Sequence, residues 1–110
     1  MNSDVLAAVV TSDGAWLRVS PALCRLLETP EGALPRGSLF DVIHPTSAPL
    51  MRRVVSGART MTEAFACQLT LPDATSVWTY VRHARSRGGE GDASTERVHL
   101  SFTHPVATPK

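Results

Sequence analysis

Two cysteines and four histidines are the side chains in this chain best suited to chemistry, and their spacing organises little of it. Cys24 and Cys67 lie inside apolar stretches, with no C-x-x-C spacing and no adjacent histidine. Such a setting suits buried, reduced thiols better than a metal site or redox pair. His44 precedes Pro45 and is expected to close a turn, whereas His83 and His99 fall on strands, where a lone histidine is usually structural. Serines, histidines and aspartates are present, yet nothing in their order places a nucleophile, a base and an orienting group together. Gly88-Gly89-Glu90-Gly91 is not followed by a helix, so it does not read as a phosphate-binding loop. Trp78 and Tyr80 could stack on a planar ligand, but strand aromatics more often fill a core or bury against a subunit. No catalytic, cofactor-binding or metal-ligating residue is therefore assigned, and the chain does not read as an enzyme.

Bulk composition narrows the partners. The 110 residues suffice for one domain, and 43% hydrophobic with 19% charged residues is globular. Eleven basic and ten acidic residues leave a net charge of +1, without the concentrated positive field that phosphate backbones demand. Arg52-Arg53 and Arg82, Arg85, Arg87 are the basic clusters and read as solvated faces, so no nucleic-acid partner is expected. No apolar run approaches the ~20 residues that span a bilayer, and no signal peptide is legible at the N-terminus. A soluble, cytoplasmic protein without a membrane partner is the expectation.

The elements that would position these side chains follow from local signals. Val5 to Thr11 is an apolar, β-branched run ended by Ser12-Asp13-Gly14, and Asp-Gly marks a tight turn into a second strand over Ala15 to Val19. Ser20-Pro21 opens a helix as N-cap and first helical residue, and Thr29-Pro30 ends it. Ser38 and Asp41 resemble a capping box, which predicts a second short helix from Ser38 to His44. A third helix is expected from about Ser47 to Ser56, with Gly57 as its left-handed C-terminal cap. Alternation then predicts strands over 62–71, 76–86 and 96–104, with a mobile Gly- and Ser-rich loop over 86–94. Two strands, a group of short helices and three strands imply an α+β fold, an antiparallel sheet with helices on one face. Strands apolar on both sides, as at Val77/Trp78/Tyr80/Val81, suggest that the outer sheet face is also covered.

From Val5 to His104 the chain resembles the PAS family. Thr11-Ser12-Asp13-Gly14-Ala15-Trp16-Leu17-Arg18-Val19-Ser20-Pro21-Ala22-Leu23-Cys24-Arg25-Leu26-Leu27 is similar to the bacterial PAS opening, a D-G hairpin leading into the first helix. Leu39-Phe40-Asp41-Val42-Ile43-His44-Pro45 is similar to the family's F-x-x-I-H-P element, and Gly57 followed by a long hairpin carrying a Trp is a third match. Departures are Ser20 in place of Asn, Glu28-Thr29 in place of Gly-Tyr, Thr46-Ser47 in place of acidic residues, and no closing D-I-T motif. The missing motif and the initiating Met are compatible with a stand-alone protein, with a piece of a longer sensor as the alternative.

The resemblance implies a single PAS domain over residues 1–105, followed by a disordered tail at 106–110. Its five-stranded antiparallel sheet would have the order 2-1-5-4-3, with short helices enclosing a small cavity on one face. It also implies a sensory signalling module, working as a homodimer or on an output domain such as a kinase, cyclase or transcription regulator. The residues expected at a dimer or partner face are Val77, Trp78, Tyr80 and Val81. The alternative is a receptor for an apolar or planar small molecule in a cavity lined by Phe40, Ile43, Leu50 and Val54. Neither haem nor flavin is expected: the third helix has no histidine, and Cys24 lies in the first helix, not the later one that carries the reactive cysteine of the flavin-binding LOV relatives.

Overall fold

Asp13-Gly14 is the first turn, and only a residue tolerant of positive φ fits it: Gly14 has φ +88° and its N–H donates to Thr11 O at 2.9 Å. The computed structural model describes residues 5–30, 33–35, 37–60, 62–87 and 96–103. Around that turn lie β1 (Leu6–Thr11) and β2 (Trp16–Val19), followed by α1 (Pro21–Leu26) and a 3-10 turn (Leu39–Asp41). Then come α2 (Ala48–Ser56), β3 (Phe65–Thr70), β4 (Ser76–Arg87) and β5 (Glu96–Phe102). The strands form one antiparallel sheet in the order β2-β1-β5-β4-β3, as the family resemblance implies.

Alternation sets which face the helices cover. Leu6, Ala8 and Val10 of β1, Phe65, Cys67 and Leu69 of β3, and Val98, Leu100 and Phe102 of β5 are all buried. They join Leu23 of α1, Leu39 of the turn, Ile43, and Met51, Val54 and Val55 of α2 in one hydrophobic cluster. The buried polar side chain among the described residues, Thr79, donates to Thr103 O at 2.6 Å, so its burial leaves no unmet donor.

Each helix is tied to the sheet at an end. Ser20 caps α1 by accepting from Leu23 N, and the same hydroxyl accepts from Ala7 N at 3.0 Å and donates to Val5 O at 2.6 Å. One serine thereby fixes the α1 N-terminus onto the start of β1. α2 ends at Gly57 (φ +91°), and Arg85 of β4 reaches its last turn, with Nη2 donating to Val55 O at 2.5 Å and Val54 O at 3.3 Å. A cation at a helix C-terminus meets the negative end of the dipole, and Glu96 holds the same guanidinium at 3.5 Å.

The expected second helix, Ser38 to His44, is shorter than its sequence suggests. The capping box forms, with Ser38 N donating to Asp41 Oδ2 at 2.8 Å, but only the single 3-10 turn follows. The next residues pair with β3 instead: Thr70 N donates to Val42 O, and His44 N donates to Gln68 O. Those contacts commit the backbone groups a longer helix would have used internally. β4 continues through Ser86 and Arg87, where a loop was expected to begin. The rest of that loop, 88–94, and the tail at 106–110 lie outside the described residues.

Gly14→Ala tests the opening turn. A methyl group there would lie 2.5 Å from Phe40 Cε2 and would force an L-residue to positive φ. Urea unfolding should report a loss of about 1–3 kcal/mol, and an unchanged midpoint would refute the packing of Phe40 on this turn.

Candidate functional site

The four residues expected to line an internal cavity differ in burial. Ile43 and Val54 are buried in the hydrophobic cluster, while Phe40 and Leu50 are half-buried against its margin. Phe40 packs its ring edge over Gly14, and the Arg52 guanidinium lies 4.2 Å from its ring centroid. That cation–π contact places the ring between hairpin and α2 at the surface, not inside. The space between helices and sheet is occupied by the branched and sulfur side chains of Leu39, Met51, Val55, Leu69 and Val81.

The other chemically distinctive side chains are structural. His44 Nδ1 lies 2.9 Å from Thr46 Oγ1 and 3.2 Å from Thr46 N, closing the turn at Pro45. His99 Nε2 pairs with Ser86 Oγ at 2.8 Å on the sheet surface. Both cysteines are free and fully buried, and burial pushes the Cys67 thiol up to about 11 against a weaker opposing hydrogen bond from Ser47. A thiol so disposed is a poor nucleophile. Among the described residues, no group of His, Cys, Asp and Glu could hold a metal ion. No helix among them is long and apolar enough to cross a membrane.

The four residues expected at a partner face divide between the two sides of β4. Val81 is buried in the core and Val77 packs partly against it, so these two are corrected to core positions. Trp78 and Tyr80 point to the opposite side, where Tyr80 is 38% exposed. Pairing registers extend that outer face across the sheet. Arg18, Val9, His99 and Ala84 form one row, and Ala7, Ser101 and Arg82 form the next. These rows line an apolar concavity of about 450 Å³. Sequence reasoning missed it because the β1 run read as uniformly apolar and Arg82 as a solvated charge. The available signal was the period-two offset that separates Ala7 and Val9 from buried Leu6, Ala8 and Val10.

Solved structures with this architecture include the PAS domain of an HTR-like protein from Haloarcula marismortui, with TM-score 0.72 and 19% identity over 96% of this chain and 84% of that one. A PAS domain from a two-component sensor histidine kinase has TM-score 0.64 and 12% identity over 93% and 86%. The Cronobacter turicensis RpfR quorum-sensing receptor PAS domain, in complex with C12:0, has TM-score 0.69 and 12% identity over 94% and 95%. No family model matches the chain, nor does any curated protein. The chain has the PAS fold.

The raised Cys67 pKa makes stability depend on pH. The unfolded thiol loses its proton near the ordinary value of 9.0 and the folded one near 11, so the folded state holds more protons within that window. Stability contributed by the neutral buried thiol is complete below the unfolded pKa and is lost as pH rises through the folded one. Chemical denaturation at stepped pH should show an alkaline loss of about 3 kcal/mol that C67A lacks; equal slopes would contradict it.

Proposed function

We propose that this PAS-fold domain is a sensory signalling module that regulates a partner or output domain through contacts on the outer face of its sheet, and that it catalyses no reaction. The observation that carries the reading is where free space lies. The described residues facing the helices form one buried hydrophobic cluster, whereas the outer side carries an apolar concavity floored by Ala7, Val9 and Ala84. Apolar surface exposed on a sheet face is stabilised by covering it with another polypeptide. Trp78 and Tyr80 extend that surface toward β3, and aromatics of this kind are enriched at protein contacts. PAS domains of similar fold occur in a sensor histidine kinase and a quorum-sensing receptor, which supports a signalling role. The output domain would be a kinase, cyclase or transcription regulator.

The second reading is a small-molecule receptor, favoured by the RpfR domain, which was captured with C12:0. In this chain Ile43 and Val54 are packed into the buried hydrophobic cluster, and the contact reading is preferred for that reason.

Native mass spectrometry, with a visible absorbance spectrum of the same sample, separates the two. The contact reading expects the bare polypeptide mass and no chromophore band; a stoichiometric bound mass would favour the receptor. A photo-crosslinking residue at Ala84, on the outer face, should trap a partner in cells, while one at Arg53 on α2 should not. Crosslinks from Arg53 alone would overturn the assignment of the docking face.

A further inference from the structure

The outer face carries a charge pattern that the net charge of the chain conceals. Arg18 and Arg82 border the apolar concavity, and Arg97 lies one row away, paired in register with Thr11 and Ser86. His99 stands between them. All four side chains are exposed. Among the described residues no carboxylate shares this face, and none of the three arginines has an ion-pair partner. The described acids lie elsewhere: Asp13, Glu28 and Asp73 in turns, Asp41 in the 3-10 turn, Glu63 ahead of β3, and Glu96 engaged with Arg85 on the helix side.

We infer that the partner docking on this face is an acidic amphipathic segment of another protein, its apolar side seated over Ala7, Val9 and Ala84 and its carboxylates reaching Arg18, Arg82 and Arg97. The inference rests on the contact reading above and specifies its chemistry. A second copy of this chain fits poorly, because a two-fold contact sets the same patch against itself and brings only further cations. Like charges set across an interface are a strong source of rejection. Nucleic acid also fits poorly, since phosphates offer the apolar floor nothing to cover. An acidic amphipathic segment matches both features at once, and arginine is well suited to bidentate carboxylate pairing.

The test uses the full chain and three helical peptides that share leucines at i, i+3, i+4 and i+7. They carry flanking glutamates, glutamines or lysines, and a single-stranded oligonucleotide serves as a fourth ligand. Amide chemical-shift titration should place the glutamate peptide on Ala7, Val9, Ala84 and His99. It should bind about tenfold more tightly than the lysine peptide, with the difference shrinking as salt rises. R18E/R82E should invert that preference, and binding of the lysine peptide by this variant also shows that it remains folded. Equal binding of all three peptides would leave the docking face standing and overturn its acidic specificity. Binding of none of them would overturn the docking face as well. Tighter binding of the oligonucleotide than of the glutamate peptide would replace the protein partner with nucleic acid.

Discussion

One 3-10 turn holds the two ends of the sheet together, and the rest of the structure follows from that constraint. Leu39 N donates to Gly14 O at the β1–β2 turn, and three residues later Val42 O accepts from Thr70 N of β3, the strand at the far edge. A flat sheet of five strands would place its outer strands about 19 Å apart. One 3-10 turn advances only about 6 Å, and the two hydrogen bonds add about 3 Å each. The segment can bridge the sheet only if the sheet curls toward its helices. The same bridge covers part of β3's outer edge, through Ile43 opposite Leu69 and His44 N on Gln68 O, and so removes a stretch of free backbone that could pair with another chain.

Curling accounts for the division of labour between the two faces. The concave side shrinks, and medium-sized aliphatics suffice to fill it: Leu39, Ile43, Val54, Val55 and Val81 meet with little exposure. Arg85 then closes one end by satisfying carbonyls at the end of α2, and Ser20 closes the other by joining the start of α1 to β1. With both helices anchored, enlarging the interior would cost hydrogen bonds as well as packing contacts. The convex side has no such constraint. Small residues at Ala7 and Ala84 leave a depression there that longer side chains would fill, and the arginines surrounding it remain solvated.

What could be read in the residues was whatever depends on local chemistry. Asp13-Gly14, Ser20-Pro21, the Ser38/Asp41 pair and Gly57 each specify a turn or cap through positive φ, a fixed φ or a side-chain acceptor, and each forms where expected. Strand faces were legible wherever alternation was clean, as in β3 and β5. The length of the second helix was not, because Val42 and His44 choose between helical and β3 partners that are distant in sequence. Phe40 was grouped with the cavity residues through the family resemblance. The close approach of Gly14 and the guanidinium of Arg52, which together hold its ring at the surface, come from three separate segments. Val77 and Val81 were grouped with Trp78 and Tyr80 by position along β4, although period two sends the pairs to opposite sides.

The charge of the outer face is a consequence of register and not of composition. Eleven bases and ten acids nearly cancel over the chain, and Arg18, Arg82 and Arg97 are too far apart in sequence to read as a cluster. Pairing Val9 with Arg18 and His99, and Ser101 with Arg82, brings them to one surface. A shift of one residue in β5 would turn His99 and Arg97 toward the core and Val98 and Leu100 outward. Burial of Val98, Leu100 and Phe102 forbids that shift, so the same hydrophobic pattern that builds the core also fixes where the cations stand. The electrostatics of the outer face are therefore set by the packing of the opposite face.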